Sequence, residues 1–285
     1  MSYIMSNNLS SKNHIRQLLA AHDLHAKKHF GQNFLTDAHV LSKIVAAAEL
    51  TPQDLVIEVG PGLGVLTAEM AAAAGHIAAI EIDSQLADIL RATMPPNVEI
   101  VREDILKADV ASIIETSGHT TAKVVANLPY YITTPVIFGL LEQGLPISKM
   151  VVMVQKEVAD RFLAAPGTKA YGIPTLSLQF YGKASLVANV PPHSFFPRPD
   201  VHSAVIKVEI DPIKDINPKI FFPLVRAAFS NRRKTLVNCL AANDNLNLTK
   251  QKAAELLEKA ALRPDIRGEA LSFEHFSHLT KLLSD

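Results

Sequence analysis

Short apolar runs alternate with amphipathic stretches through the first two thirds of the chain. Runs rich in valine, isoleucine and alanine predict seven strands, at 55–59, 76–80, 98–101, 123–126, 150–154, 184–190 and 204–210. Between several of these strands the apolar positions recur at helical spacing, as they do over 63–74 and 156–165. Strands that alternate with helices predict an α/β fold with repeated βα units and a mostly parallel, seven-stranded sheet.

The pattern changes after residue 210. A polar stretch punctuated by prolines covers 211–218, and the remaining residues have helical spacing, with Thr249 and Ser272 placed as N-caps. We therefore predict a basic N-terminal segment at 1–36, an α/β domain at 37–210 and a small all-α domain at 211–285.

The amino-acid composition indicates the cellular compartment of the protein and excludes some kinds of binding site. Cys239 is the only cysteine, which excludes an intramolecular disulfide and a cysteine-rich zinc site and favours a reducing compartment. The first residues contain no apolar core of a secretion signal, and no run of about 18 apolar residues occurs. We therefore expect a cytoplasmic protein without a membrane span, and nothing requires more than a monomer.

The formal net charge is zero, but the charges are segregated along the chain. The region 54–115 is rich in acidic residues, whereas cations dominate before Thr36 and in the late segment, as Lys12, Arg16, Lys27, Lys28, Arg226, Arg232, Arg233 and Lys234. Basic ends around an acidic middle can bind phosphate at zero net charge. Ordinary solvated surface charge is the alternative.

A glycine-rich turn follows the first predicted strand. Gly60-Pro61-Gly62-Leu63-Gly64 lets the backbone approach a ligand at the carboxyl end of that strand. Val65 stands where the dinucleotide fingerprint has its third small residue, so pyrophosphate binding is not favoured.

Two acidic residues lie at the ends of the next two strands. Glu81, 21 residues after Gly60, is placed to accept hydrogen bonds from ribose hydroxyls, and Asp104 is placed to meet an adenine edge. Together with the glycine turn they resemble the cofactor site of the class I methyltransferases that use S-adenosylmethionine (SAM), with a Rossmann-like fold. The alternative is a tight turn with two solvated carboxylates.

Asn127-Leu128-Pro129-Tyr130 follows the fourth strand, at the sheet edge where ligands bind. Adenine N6 is a poor nucleophile, so its methylation needs acceptors for the amine hydrogens and a ring that stacks on the extruded base. Asn127, a backbone carbonyl beside Pro129 and Tyr130 can supply these without a strong base or a metal. The motif is similar to that of amino methyltransferases, whose targets also include cytosine and glutamine; a proline turn with a buried tyrosine is the structural alternative.

The order of motifs resembles that of the ribosomal RNA adenine dimethyltransferases over residues 25–240. The matching segments are KHFGQNFL at 28–35, the Gly60 turn, NLPYYI at 127–132, QKEV at 155–158, AYG at 170–172, FFPRP at 195–199 and VHSA at 201–204. Among these enzymes the chain looks like those of the small ribosomal subunit. The resemblance implies dimethylation of N6 in two adjacent adenines near the 3′ end of 16S rRNA, within an assembling small subunit.

The resemblance also implies roles for individual residues. SAM contacts are expected at Asn33, Leu35, Gly60, Glu81, Asp104 and Asn127, and the target base is expected between Tyr130 and Phe195. Only alignment selects Phe195 over the neighbouring Phe196. The basic N-terminal segment is expected to contribute to the cofactor and RNA site, with Lys27 and Lys28 as rRNA contacts. At a predicted helix start at 231–235, three successive cations point around most of the helix, so Arg232, Arg233 and Lys234 are expected to contact rRNA phosphates.

Two alternatives share this scaffold. A 23S rRNA adenine methyltransferase has the same chemistry, but such enzymes typically have isoleucine where this chain has Leu128. A non-catalytic assembly or transcription factor would retain the fold alone, and the intact motif at 127–130 argues against it.

Overall fold

The computed structural model describes residues 12–21 and 32–284, which form two compact units. The α/β unit contains the described residues up to Ala159 together with Ser185–Ile210. The helical unit contains Asp160–Ala184 together with the chain from Asp211 onwards. Each unit has its own hydrophobic core.

The α/β unit is built on a seven-stranded sheet with the order β4-β3-β2-β5-β6-β9-β7. Its strands are β2 (Leu55–Val59), β3 (His76–Glu81), β4 (Val98–Arg102), β5 (Ala122–Asn127), β6 (Ile147–Gln155), β7 (Gly182–Val190) and β9 (Ser203–Ile210). All seven correspond to predicted strands. Neighbours from β4 to β6 pair in parallel, and β9 pairs antiparallel with β6, which confirms the predicted Rossmann-like α/β fold.

The helices of this unit are α1 (Lys12–Ala21), α2 (Ala38–Ala48), α3 (Val65–Ala71), α4 (Ser84–Thr93), α5 (Val110–Thr116) and α6 (Thr133–Glu142). A further helix, α7 (Lys156–Phe162), begins in this unit. Aspartates at 37, 83 and 109 cap α2, α4 and α5 by accepting backbone N–H bonds. Every residue of β2 is buried, as a central parallel strand covered on both faces requires.

A second, two-stranded sheet pairs β1 (Phe34–Leu35) with β8 (Phe195–Phe196) in antiparallel register. Phe34 faces Phe196 and Leu35 faces Phe195. The Thr36 backbone N–H extends the contact by donating to the Ser194 carbonyl at 2.8 Å. This pairing fixes the segment that leads into α2 against the loop that follows β7.

The helical unit consists of α8 (Ile173–Tyr181), α9 (Pro218–Ala228), α10 (Leu236–Ala241), α11 (Lys250–Lys259) and α12 (Phe273–Ser284). The chain enters this unit at Asp160, within α7. The helix predicted at 156–165 ends at Phe162. Tyr171, Leu176 and Phe180 pack into one core with Phe221 and Phe276. The single domain boundary predicted at residue 211 is therefore incomplete: residues 160–184 belong to the helical unit, because their apolar side chains are buried there.

None of the described helices combines the length and the apolar character that crossing a lipid bilayer requires.

Candidate active site

A cavity of about 200 Å³ opens where β2, β3, β4 and β5 end. Each strand delivers a loop to its wall, and the segment at 32–35 closes another side. The cavity brings together nine predicted site residues: Asn33, Leu35, Gly60, Glu81, Asp104, Asn127, Leu128, Pro129 and Tyr130. Because parallel strands end at one edge of the sheet, residues far apart in sequence meet here.

The described wall of the cavity is acidic. Glu58, Glu81, Glu103 and Asp104 line it, and no lysine or arginine is among its described lining residues. A ligand with positive charge is favoured by the ionised carboxylates on this wall.

The glycine turn holds a left-handed backbone at the floor of the cavity. Gly60 and Gly62 have φ of +66° and +62°, which other residues adopt only with strain. A Cβ on Gly62 would also come within 3.1 Å of the Phe34 ring. The Gly62 N–H donates to Glu81 Oε2 at 3.1 Å, so the turn is fixed to the end of the neighbouring strand.

Glu81 is buried, and its other carboxylate oxygen accepts the Asp83 N–H at 2.9 Å. Burial raises the pKa of Glu81, while the backbone N–H groups of Asp83 and Gly62 act in the opposite direction. A carboxylate has about four acceptor positions, so capacity remains for ribose hydroxyls. Glu81 therefore lines the cavity with free acceptor capacity, and its role as a ribose ligand stays a prediction.

Asp104 lines the cavity together with two exposed apolar side chains, Ile82 and Leu106. Its Oδ1 accepts the Leu106 N–H at 3.0 Å, which orders the loop after β4. Ile82 and Leu106 line the cavity although they are 46% and 51% exposed. Apolar side chains around a carboxylate suit a purine, whose faces are apolar and whose edge carries an amine. The sequence analysis did not identify Ile82 or Leu106.

Glu58 is a site residue that the sequence analysis did not single out. It is 1% exposed, and its Oε2 has no hydrogen-bond partner among the described residues. Burial raises the pKa of Glu58 to about 8, the nearby Thr67 hydroxyl opposes this, and the charge of Glu81 adds to it. The sequence feature that could have identified Glu58 is a carboxylate within an apolar strand, close before the glycine turn.

Asn127 is the last residue of β5 and pairs with Met153 of β6. Its Nδ2 donates to the Asn33 backbone carbonyl at 3.1 Å. This bond orients the amide and leaves Oδ1 as an acceptor on the side chain that lines the cavity. The contact joins a residue of the N-terminal segment to the predicted reacting motif.

The rest of the motif is held by buried contacts. The Leu128 N–H donates to the Met153 carbonyl at 3.2 Å. The Pro129 carbonyl accepts from the Ile132 N–H at 3.2 Å and from the Thr133 hydroxyl at 3.1 Å. Tyr130 begins a short 3-10 helix, Tyr130–Ile132, and lines the cavity. The backbone of the motif is therefore held by hydrogen bonds on both sides of Pro129.

The predicted stacking role of Phe195 does not match its position. Phe195 is 1% exposed, packs in the core of the α/β unit and does not line the cavity. Adjacent residues of a strand face opposite sides, so Phe196 is the more exposed of the pair, with the Arg16 guanidinium 5.0 Å from its ring centre. The β1–β8 pairing turns Phe195 inwards, which alignment of the sequence did not show.

Arg232 also differs from its prediction. The segment 231–235 is a turn before α10 rather than the start of that helix. The Arg232 guanidinium donates to the Lys169 carbonyl at 2.8 Å and to the Tyr171 carbonyl, and it lies 3.9 Å from the Glu269 carboxylate. It therefore ties segments of the helical unit together.

Arg233 and Lys234 are exposed in the same turn of the helical unit. Lys27 and Lys28, the remaining predicted rRNA contacts, lie outside the described residues.

Comparison with known proteins gives a consistent result over nearly the whole chain. Residues 23–280 match the family described as ribosomal RNA adenine dimethylase. A ribosomal RNA small subunit methyltransferase A from Lachnoclostridium phytofermentans is 47% identical over 91% of this chain and 92% of its own length. The protein of that name from a Geobacillus species is 43% identical over 98% and 99%. The crystal structure of a dimethyladenosine transferase from Plasmodium falciparum is 27% identical, with a TM-score of 0.76, covering 88% of this chain and 97% of that one.

Proposed function

Because the chain belongs to the ribosomal RNA adenine dimethylase family, we propose that it dimethylates N6 of two adjacent adenines near the 3′ end of 16S rRNA. Membership of this family makes it a SAM-dependent methyltransferase whose class of substrate is ribosomal RNA. The choice of the small subunit is supported by the relatives of 43–47% identity, which are named for that subunit.

The cavity fits SAM in charge and shape. SAM supplies an electrophilic methyl group on a positively charged sulfur, which the carboxylates of Glu81, Glu103 and Asp104 on the cavity wall suit. Glu81 would accept the ribose hydroxyls, and Asp104 would accept from the adenine amine between Ile82 and Leu106. Gly60 would allow the close approach of the methionine portion, and Asn33 and Leu35 also line the cavity.

Two acceptors would hold the target amine. Asn127 Oδ1 is the first, because Nδ2 of the same amide is committed to Asn33. The Pro129 carbonyl already accepts two hydrogen bonds, so we assign the second role to the Leu128 carbonyl. Acceptors on both amine hydrogens would turn the nitrogen lone pair towards the methyl group, and Tyr130 would stack on the base.

The observation that carries this proposal is the position of the oriented Asn127 amide in the acid-lined cavity. An amide at this point can hold an exocyclic amine beside a sulfonium cofactor, without a base or a metal. The fold alone would not favour an amine over another acceptor of methyl groups.

Methyl transfer to small subunits that lack the modification tests the proposal. The protein is incubated with labelled SAM and small subunits from a strain without the endogenous enzyme, and modified bases are mapped on the 16S rRNA. We expect label at two adjacent adenines near the 3′ end, present as N6,N6-dimethyladenosine.

Large subunits and duplex DNA serve as matched acceptors in the same assay. Label in 23S rRNA would identify the enzyme as a large-subunit methyltransferase. Tight binding of small subunits without label in 16S rRNA would show a non-catalytic assembly factor. The cytoplasmic location and the monomeric state stay predictions, and sedimentation of the purified chain measures the second.

A further inference from the structure

The Tyr130 hydroxyl shares a short hydrogen bond with the hydroxyl of Ser203, with 2.6 Å between the oxygens. Ser203 is completely buried, and Tyr130 is half-buried on the wall of the cavity. A buried hydroxyl is costly unless it is hydrogen-bonded, so this contact explains a serine at an interior position.

The two residues come from strands that are not neighbours. Tyr130 follows β5 by three residues, whereas Ser203 is the first residue of β9 and pairs with Gln155 at the end of β6. In the sheet β6 lies between β5 and β9. The Tyr130 side chain therefore extends across the end of β6 and is fixed at both of its ends.

Both anchors are rigid. On the backbone side, Pro129 precedes Tyr130 with φ of −58°, and the short 3-10 helix begins at Tyr130 itself. At the other end of the side chain, the Tyr130 hydroxyl bonds to Ser203, whose backbone belongs to the β6–β9 ladder. Burial raises the pKa of Tyr130, so the phenol keeps its proton and can donate or accept in this bond.

A stacking ring contributes to catalysis only when it is held at a defined angle to the reacting amine. A tyrosine anchored by its backbone alone rotates about two side-chain bonds, and that freedom must be lost when the base arrives. A hydrogen bond at the far end of the ring removes this freedom in advance, so the base meets a surface that is already in place.

We infer that Ser203 is a positioning residue for methyl transfer, whose hydroxyl holds the Tyr130 ring at the angle at which it stacks on the target adenine. The inference rests on the proposed function. Ser203 is buried and is not among the residues that line the cavity, so it would act through Tyr130 alone. Removing either hydroxyl should therefore have the same consequence, and removing both should add nothing.

A double-mutant cycle tests this with Ser203→Ala, Tyr130→Phe and the double variant. Single-turnover methyl transfer to unmodified small subunits is measured at saturating SAM, and the SAM dissociation constant is measured by calorimetry. We expect each single variant to be about tenfold slower, equivalent to one net hydrogen bond. The double variant should be equally slow, and the SAM dissociation constant should not change.

Two further variants separate positioning from folding. Ser203→Thr keeps the hydroxyl and should retain most of the wild-type rate. Tyr130→Ala also removes the stacking surface and should lose far more activity than Tyr130→Phe.

Multiplicative losses in the double variant, or a Ser203→Ala enzyme with the wild-type rate, would overturn the inference. If Ser203→Ala lowers the melting temperature, its effect on the rate is measured by comparing the double variant with Tyr130→Phe alone. A further loss of rate in the double variant contradicts a role through Tyr130. If the wild-type protein transfers no methyl group to 16S rRNA, the proposed function fails instead.

Discussion

The Asn127 side chain donates from Nδ2 to the backbone carbonyl of Asn33 at 3.1 Å. An asparagine amide can bind in either of two flipped orientations, and this bond selects one. The acceptor end of the amide is therefore fixed on the cavity wall by a residue that lies far away in the sequence. The β1–β8 pairing holds that carbonyl in place.

Replacement of Asn127 by alanine should abolish most of the turnover. It removes an acceptor for the target amine, and the loss of one such oriented group costs about a hundredfold or more in rate. Small-subunit affinity should stay close to that of the wild type. Methyl transfer and subunit binding are measured in parallel, and Asn189→Ala, on an exposed position of β7, is the control. A variant that retains the wild-type rate would contradict the assignment.

Glu81→Gln and Asp104→Asn should weaken SAM binding. Each keeps the size of the side chain but replaces an acceptor oxygen by a donor, so we expect an increase in the SAM dissociation constant of about tenfold or more. Calorimetry with SAM measures this without an RNA substrate. Glu115→Gln removes an exposed carboxylate from α5 and should leave the constant unchanged.

Glu58 should make stability depend on pH. The pKa of this carboxyl is raised from 4.5 to about 8, so between these values the folded chain holds a proton that the unfolded chain has lost. Stability therefore falls as the pH rises through this window, by at most about 1.4 kcal/mol per pH unit. We expect the melting temperature of the wild type to drop between pH 6 and pH 8.

Glu58→Gln should remove most of that drop, because glutamine has no proton to lose. The control variant Glu115→Gln should show the same fall in melting temperature between pH 6 and pH 8 as the wild type. An equal decline with pH in the wild type and in Glu58→Gln would show that another group is responsible.

Arg233→Ala combined with Lys234→Ala should weaken small-subunit binding at low salt and flatten its salt dependence. Each lost phosphate contact lowers the slope of log affinity against log salt by about one. Filter binding over a salt series measures the slope. Lys250→Ala combined with Lys252→Ala makes the same charge change on α11 and should leave it intact.

Arg232→Ala should act differently from this pair. Its guanidinium bonds to the Lys169 and Tyr171 carbonyls, so its loss should lower the melting temperature. An unchanged melting temperature with a flatter salt slope would return Arg232 to the predicted phosphate contacts.

Phe195→Ala should destabilise the protein by about 3–5 kcal/mol, the usual cost of emptying a buried phenylalanine site. Phe196→Ala should cost less, because that ring is only half-buried. Thermal unfolding of both variants makes the comparison. A Phe195→Ala protein with wild-type stability and impaired methyl transfer would support the stacking role predicted from the sequence.

The sequence predicted the strands and the grouping of Gly60, Glu81, Asp104 and Asn127, because apolar runs mark strands and parallel strands end together. It did not predict which phenylalanine of the pair at 195–196 faces inwards. That depends on a two-residue strand, too short to show a periodicity, and on its register with Phe34 and Leu35.

The other differences between prediction and structure come from contacts between residues that are far apart in the sequence. The sequence could not show that the carbonyls of Lys169 and Tyr171 engage Arg232. It also could not show that Ser203 holds Tyr130, because a serine at the start of a strand has no pattern that names its partner.

The discontinuity of the helical unit has a consequence for synthesis of the chain. The segment 160–184 leaves the ribosome before α9, so Leu176 and Phe180 are translated well before Phe221, with which they share a core. Domains generally fold as units during synthesis, at about 5–20 residues per second. For some seconds the nascent chain therefore carries Leu176 and Phe180 without the side chains they pack against. During this time the strands that follow residue 184 are still being added to the sheet. Slower translation of residues 185–220 would lengthen this interval and increase the recruitment of chaperones.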